Sequence, residues 1–245
     1  MLLTAALAQP DVNAPRSKLF VPTSRWSCLQ ALPALAADAL SFDLEDAIAE
    51  PDKDTARQHL VHALRTFRCE AQIWVRVNAA SSHHVVADLL ALAGLPISVV
   101  NLPKAESPSD IRLVDALLAH VERVSGSGPI SIVPTVESPA GLRHASALVG
   151  ASPRVTALQL GAGDLRRSTG ITDLAGLAVL RTLLSLAGAE AGVPVLDSTA
   201  SDIVDAAAFE FDARASLALG FRGKSCMHEA HVAIANRVFG AGDVH

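Results

Sequence analysis

The sequence predicts a (β/α)8 TIM barrel that forms a single domain, and three observations indicate it. Short β-rich apolar runs alternate strictly with longer Ala- and Leu-rich stretches at helical spacing. Eight runs of each kind follow one another, which favours closure of a parallel sheet over an open one. The chain has 245 residues, of which 50% are apolar and 18% charged, enough for the dry core of one barrel.

The elements follow in chain order. Strands are expected at residues 19–22, 40–45, 73–78, 99–104, 130–137, 155–164, 193–197 and 220–227. Helices are expected near 25–37, 54–67, 82–93, 108–123, 139–149, 173–190, 202–218 and 229–238. Two Ser–Pro pairs, Ser107-Pro108 and Ser138-Pro139, are typical of helix starts, with a capping serine and proline at the first position. Three glycines lie where helices should end, namely Gly94, Gly150 and Gly192.

Composition limits the class of partner. The net charge of −5 argues against a nucleic-acid surface, which needs clustered Lys and Arg. Uninterrupted apolar runs of about 18 residues do not occur, so we expect no membrane span. The three cysteines share no metal-ligand spacing, and their odd number indicates reduced thiols in a cytoplasmic protein. We expect residues 1–14 to form a flexible extension and residues 15–245 to form the barrel domain.

Three apolar strand candidates each lead to a charged residue: Arg76, Glu137 and Asp164. A charge at the end of a buried strand is costly unless a partner compensates it. In a barrel the carboxyl ends of all strands meet at one mouth, where active sites lie. These three side chains are therefore expected to share a site.

Glu137 and Asp164 are the predicted metal ligands, because hard carboxylate oxygens suit Mg²⁺, and also Mn²⁺. Gly161 and Gly163 would let the backbone come close to a ligand. The alternative from spacing alone is that Glu137 caps the next helix and Asp164 begins an ordinary turn.

Arg76 is suited to bidentate capture of a substrate carboxylate. Its alternative is a structural ion pair with a nearby acid, and both roles can hold together. Asp43 and Glu45 alternate along one strand and so share a face, which makes them candidates for the general base. Asp197, at the end of the seventh strand, is a third candidate.

Lys104, like Arg16 and Arg76, could neutralise these acids. As a free amine it could also be a Schiff-base nucleophile, but a salt-bridged lysine is the expectation in an acid-rich mouth.

Seven segments then match a known family in order. They are residues 16–22 (RSKLFVP), 43–47 (DLEDA), 75–78 (VRVN), 102–106 (LPKAE), 136–141 (VESPAG), 160–165 (LGAGDL) and 220–224 (GFRGK). The chain resembles the citrate lyase β-subunit-like branch of the HpcH/HpaI aldolase superfamily.

The resemblance implies a (β/α)8 barrel, trimeric or hexameric, that cleaves or forms a carbon–carbon bond next to a carbonyl. It implies Mg²⁺ at Glu137 and Asp164, with Arg76 holding the carboxylate of an oxo acid such as oxaloacetate, glyoxylate or pyruvate. An acyl-CoA or other thioester would supply the enolate. Arg16, Lys104, Gly163 and Asp197 are expected to contact the substrate.

Some segments depart from the family pattern. Thr23 replaces the glycine of Val-Pro-Gly, and residues 227–231 replace Ile-His-Pro-x-Gln. The sequence ends at His245, before the extension that forms a lid in several relatives, so the use of CoA stays open. Two alternatives remain: a metal-dependent aldolase of free 2-oxo acids, and a non-catalytic barrel that binds a metabolite or a protein.

Overall fold

A computed structural model describes residues 14–31, 36–198 and 205–240 of the chain. Eight parallel strands, β1 to β8, pair in chain order and close into a barrel, as the sequence predicts. The strands are β1 Ser17–Val21, β2 Ala39–Asp43, β3 Gln72–Arg76, β4 Val99–Leu102, β5 Ser131–Val136, β6 Leu158–Leu160, β7 Val195–Asp197 and β8 Gly223–Cys226. The predicted extension over residues 1–14 lies, except for Ala14, outside the described residues.

Helices cover the outside of the barrel. They are α1 Lys53–Thr66, α2 Val85–Ala91, α3 Pro108–Ser125, α4 Pro139–Arg143, α5 Ala145–Val149, α6 Ala162–Thr169, α7 Leu174–Ala191, α8 Ala206–Ala218 and α9 Glu229–Gly240. Both predicted Ser–Pro starts are confirmed, since Ser107 accepts a hydrogen bond from the Ser109 N–H and Ser138 accepts one from the Gly141 N–H.

Three predicted elements differ from the structure. The expected helix at 25–37 begins as a 3₁₀ helix, Thr23–Ala31, and residues 32–35 lie outside the described part. The helix expected at 139–149 divides at His144 into α4 and α5. The strand expected at 155–164 is only Leu158–Leu160, and a helix that the sequence did not reveal, α6, begins at once after Gly161. The run of small residues before Asp164 hides this start, because α6 buries only Leu165.

The N-terminal half of the barrel interior is filled by apolar side chains. Those that pack together there are Ala39, Trp74, Val99, Val133, Ala157 and Leu196, with Ala14 against them. A second, larger apolar core lies between the strands and the surrounding helices. The barrel is therefore a packed core at this end, and only the opposite end can hold a ligand.

A polar layer lies above the apolar one. Lys18, on β1, is buried and donates from Nζ to Asn101 Oδ1 at 3.2 Å and to Gln159 Oε1 at 2.5 Å. Gln159 in turn donates to Ser225 at 3.2 Å. The Lys18 ammonium also lies 5.2 Å from the ring centroid of Trp74. Asn101, Gln159 and Ser225 form the floor of a cavity at the C-terminal ends of the strands, and Lys18 lies beneath them.

The floor lysine makes stability depend on pH. Burial, and then the charge of Arg76, lower the pKa of Lys18 from 10.5 to about 7. Between these values the unfolded chain holds a proton that the folded protein has released, so stability rises with pH. The unfolding free energy of the wild type minus that of Lys18→Met should therefore grow by about 3–4 kcal/mol from pH 7 to pH 10. Urea denaturation at the two pH values measures it, and a constant difference would contradict this prediction.

Among the described residues, α7 is the one helix long and apolar enough to cross a membrane by length and composition alone. It packs here as an outer helix of the barrel, with Leu177, Leu180 and Leu184 buried. Four of its apolar side chains are instead exposed, namely Leu174, Val179, Leu183 and Leu186.

Candidate functional site

A cavity of about 850 Å³ opens at the C-terminal ends of the strands, where the sequence predicts the site. Strand ends and the loops that follow them line it, together with the first turn of α6. The residues that line it include Asp43, Arg76, Glu137, Gly161, Asp164 and Arg167. The three charged strand ends are thus brought to one mouth.

Arg76 at the end of β3 is held by Asp43 at the end of β2. Its Nε donates to Asp43 Oδ1 at 2.8 Å and its Nη2 donates to Asp43 Oδ2 at 2.5 Å. The two residues are paired in the register of the strands, so the barrel itself sets this contact. These bonds use two of the five guanidinium N–H groups, and Nη1, which carries two of the other three, lies 3.1 Å from Glu45 Oε2.

Asp43 accepts four hydrogen bonds, which limits its chemistry. Besides the two from Arg76, the backbone N–H groups of Glu45 and Ala47 donate to it at 2.9 and 3.1 Å. A carboxylate has about four acceptor sites, and all are in use. These contacts hold Arg76 in place and leave Asp43 no vacant acceptor site in this structure.

Glu45 is buried behind the cavity lining, between two cations. Lys104 Nζ contacts its Oε1, and Arg76 Nη1 lies 3.1 Å from its Oε2, outside hydrogen-bond geometry. Burial raises the pKa of Glu45 although both cations oppose this. Burial alone would lower the pKa of Lys104, but the hydrogen bond from Lys104 to Glu45 raises it. Lys104 is therefore a salt-bridged cation. Its contacts agree with the expectation that it forms a salt bridge and is not a free amine.

Glu137 follows β5 and is buried without a cationic side chain bonded to it. Its Oε1 accepts the backbone N–H of Lys104 at 2.5 Å, and Lys104 has a left-handed φ of 51° that is uncommon outside glycine. Burial raises the pKa of Glu137 to about 7, and the nearby charges of Glu45 and Asp164 add to the effect. The charge of Arg76 opposes this rise only in part, and a bound cation beside Glu137 would stabilise its carboxylate.

Asp164 belongs to the first turn of α6 and not to a strand or a turn. Its side chain pairs with the exposed guanidinium of Arg167, one turn further along the helix. Asp164 is close enough to Glu137 for its charge to act on that carboxyl group, and both line the cavity. Two hard carboxylates that share one mouth fit Mg²⁺, which takes one or two carboxylates and fills its other positions with water and substrate.

The two glycines of this segment have different roles. A Cβ on Gly161 would lie 2.4 Å from Glu137 Cβ and 2.6 Å from Glu137 Oε2, whereas nothing lies within 4 Å of a Cβ on Gly163. The sequence predicted close approach of a ligand at both positions. In the structure Gly161 makes room for the Glu137 side chain, and Gly163 is sterically open.

Gly161→Ala should therefore displace Glu137 and weaken Mg²⁺ binding at least about tenfold, a loss typical of disturbed ligand orientation. Gly163→Ala is the matched control and should leave the Mg²⁺ affinity near the wild-type value. Isothermal titration of the two variants measures the difference. Equal affinities would show that Glu137 does not bind the ion.

Three of the predicted substrate contacts are not among the residues that line the cavity, namely Arg16, Lys104 and Asp197. Arg16 precedes β1, at the N-terminal ends of the strands, and pairs with Asp38 there at 2.8 Å. Asp197 is fully buried and accepts from Arg181 at 2.7 Å and from Ser216 at 2.6 Å. Its third partner is the buried Lys224. Arg16 therefore lies at the opposite end of the barrel from the cavity, and the Asp197 carboxylate is bound by protein donors alone.

Sequence reasoning missed the residues that support the site from below and behind. Lys18 is the clearest, because a charge inside an apolar strand was the signal that singled out Arg76. Lys53 is also buried and donates to the carbonyls of Leu44 and Glu45 at 2.8 and 2.7 Å. It reaches Asn78 Oδ1 at 2.8 Å as well, and so ties the loops after β2 and β3 together. No sequence signal identifies Lys53, which reads as an ordinary exposed helix lysine.

Comparison with known proteins identifies the relationship. Residues 16–229 match the HpcH/HpaI aldolase/citrate lyase family. The chain belongs to this family. The L-malyl-CoA/beta-methylmalyl-CoA lyase of Cereibacter sphaeroides is 32% identical over 259 residues, covering 96% of this chain and 81% of that protein. The citrate lyase subunit beta of Escherichia coli is 32% identical over 245 residues, covering 97% and 81%.

Solved structures of the HpcH/HpaI family share the fold. The citrate lyase beta subunit from Mycobacterium tuberculosis, complexed with oxaloacetate and magnesium, superposes with a TM-score of 0.75 at 28% identity. The comparison covers 92% of this chain and 97% of that one. The protein CitE from the same organism, in complex with magnesium, acetoacetate and coenzyme A, gives 0.74 at 29% identity, with 91% and 80% covered. The expected family, barrel and lyase class are confirmed.

Proposed function

We propose that the chain is an Mg²⁺-dependent carbon–carbon lyase that joins or separates a 2-oxo acid and the enolate of an acyl-CoA or similar thioester. The main observation that supports this proposal is the set of side chains at the mouth of the barrel. Arg76, of whose five guanidinium N–H groups Asp43 uses only two, lies in the same cavity as the carboxylates Glu137 and Asp164. A 2-oxo acid needs this pair of functions, a carboxylate anchor beside a cation that faces its carbonyl.

The relatives support the same chemistry. Magnesium accompanies oxaloacetate in one solved relative, and magnesium, acetoacetate and coenzyme A occur together in another. Glu137 and Asp164 would hold Mg²⁺ here, and Mn²⁺ offers similar ligand preferences. When bound, the cation polarises the substrate oxygen and stabilises the negative charge that develops on it.

In the cleavage direction the substrate is a thioester whose β-carbon carries a hydroxyl and a carboxylate. A base takes the hydroxyl proton, the bond between the α- and β-carbons breaks, and its electron pair stays on the α-carbon as the thioester enolate. A proton then returns to that carbon, which releases the acyl thioester and the 2-oxo acid. Arg76 holds the carboxylate of the β-carbon throughout.

Glu45 is the carboxylate best suited to be the base. Asp43 and Asp197 have their acceptor sites filled by protein donors, whereas Glu45 Oε2, buried 3.1 Å from Arg76 Nη1, accepts no hydrogen bond. Burial raises the pKa of Glu45, and a carboxylate with a raised pKa is a more effective base near neutral pH.

Calorimetry with oxaloacetate and with pyruvate, each with and without Mg²⁺, tests the proposal. Binding should be at least about tenfold tighter with Mg²⁺, corresponding to about 1.4 kcal/mol or more of coupling. Absence of any metal-dependent binding would overturn the enzyme assignment and favour a non-catalytic barrel.

Turnover then separates the two enzyme hypotheses. Malyl-CoA and citryl-CoA should release acetyl-CoA in the presence of Mg²⁺, as a thioester lyase requires. Metal-dependent oxo-acid binding without any thioester turnover would instead favour an aldolase of free 2-oxo acids.

We further propose a homo-oligomer, a trimer or hexamer, in the cytoplasm. The exposed apolar side chains of α7 support association, since such side chains grouped on one helix are typical of interfaces. Cys69 and Cys226, the two cysteines whose side chains are described, are unpaired, as expected in a reducing compartment. Sedimentation velocity tests the oligomeric state, and a monomer at micromolar concentration would contradict it.

A further inference from the structure

We propose that Glu50, His83 and His84 form a second metal site, on the rim of the barrel, for a divalent transition cation such as Zn²⁺. This His-His-Glu cluster shares no residue with the mouth, and the proposal does not depend on the lyase function. It brings two imidazoles and one carboxylate to one point on the surface.

The geometry of the cluster is close to that of a coordinated ion. His84 Nε2 lies 2.8 Å from Glu50 Oε1, and His83 Nε2 lies 3.4 Å from the same oxygen. The three ligand atoms all lie within 4.8 Å of one another. Ligand atoms of a tetrahedral site with bonds of about 2.1 Å are about 3.4 Å apart, so small side-chain rotations suffice.

The barrel sets the distance between the ligands. Glu50 begins a short 3₁₀ helix after β2, and the two histidines precede α2 in the loop after β3. Because β2 and β3 are adjacent, their loops emerge side by side. Backbone hydrogen bonds fix both turns: Asp52 N–H donates to the Ala49 carbonyl at 2.9 Å, and Ser82 N–H donates to the Ala79 carbonyl at 2.8 Å.

The three side chains of the cluster differ in their exposure to solvent. The His84 side chain is 13% exposed, whereas those of Glu50 and His83 are 66% and 78% exposed. His84 is therefore an anchor that packing orients, and the other two residues can close on an ion that arrives from solvent. A water molecule would complete four-coordination on the open side.

The donor set selects the class of cation. Imidazole nitrogens with one carboxylate favour Zn²⁺, Co²⁺, Ni²⁺ and Cu²⁺ over Mg²⁺, which prefers oxygen ligands. The proposed site at the mouth offers only carboxylate ligands and therefore favours Mg²⁺. An ion at the cluster would link the loops that follow β2 and β3, the strands that end in Asp43 and Arg76.

Zinc titration of tag-free, chelator-treated protein tests the site. The Glu137→Gln/Asp164→Asn background removes the carboxylates of the mouth, so that binding there cannot be mistaken for binding at the rim. We expect one Zn²⁺ per chain by calorimetry, and a visible ligand-field spectrum with Co²⁺ that reports nitrogen coordination. His83→Ala, His84→Ala and Glu50→Gln should each weaken Zn²⁺ at least about tenfold.

His120→Ala is the matched control, since this exposed histidine contacts Arg123 on α3, outside the cluster. It should bind Zn²⁺ as tightly as the background protein. No stoichiometric Zn²⁺ binding in the background protein, or equal affinity in His83→Ala/His84→Ala, would overturn the proposal and leave a hydrogen-bonded cluster. Loss of lyase activity in the background variant has no bearing on this result.

Discussion

Glu137→Gln is expected to remove Mg²⁺-dependent binding of oxaloacetate and to lower kcat/KM at least about 10³-fold, the equivalent of about 4 kcal/mol of lost charge stabilisation. The neutral amide keeps the size of the side chain and can still accept the Lys104 N–H. What it loses is the negative charge that a cation would bind. Calorimetry and steady-state kinetics at several Mg²⁺ concentrations measure both effects.

The same variant provides its own control for folding. Burial and neighbouring acids disfavour the Glu137 carboxylate, as its raised pKa indicates. Without metal, at pH 8, Glu137→Gln should therefore be at least as stable to urea as the wild type. A variant that folds and binds oxaloacetate with unchanged Mg²⁺ dependence would remove Glu137 from the proposed ligand set.

Arg76→Lys should lower kcat/KM about 10²- to 10³-fold while leaving the charge in place, because an ammonium cannot reproduce the two parallel hydrogen bonds of a guanidinium. The loss should appear mainly as weaker oxo-acid binding. Lysine also keeps a cation beside Asp43 and Glu45, so the variant avoids the large cost of leaving buried acids unpaired.

A double-mutant cycle with Asp43→Asn tests how Asp43 acts. If Asp43 works by orienting Arg76, its replacement should cost activity in the wild type and far less in Arg76→Lys, since no oriented guanidinium remains. Independent, multiplicative losses would instead show that Asp43 has a role of its own in the reaction. KM and kcat for each corner of the cycle distinguish the two results.

The alternation of strands and helices was sufficient to predict the barrel, because the hydrophobic period and the length of each segment can be read from the local sequence. It could not place the boundary after β6, where Gly-Ala-Gly continues an apolar run without a change of polarity. Asp164 consequently lies on a helix and not on a strand. Its place at the mouth was predicted correctly for a partly wrong reason, since the helix begins directly at the strand end.

The composition of the site was predictable wherever a charge interrupted an apolar strand, as at Arg76 and Glu137. Two residues show, for physical reasons, where prediction of the site from the sequence fails. Asp197 has the same strand-end signature, but its cationic partners, Arg181 and Lys224, are distant in sequence and meet it only after folding. Arg16 belongs to a matching segment, yet it precedes its strand and so lies at the opposite end of the barrel.

The two proposed metal ligands belong to different kinds of structural element. Glu137 extends from the rigid wall of the barrel, whereas Asp164 is carried by α6, which buries a single side chain, Leu165, beneath it. The separation of the two carboxylates thus depends on how one short helix is seated. The affinity for the cation therefore depends on the position of α6. Any contact that tilts α6, at a protomer boundary or over the mouth, would change that affinity without contacting either ligand.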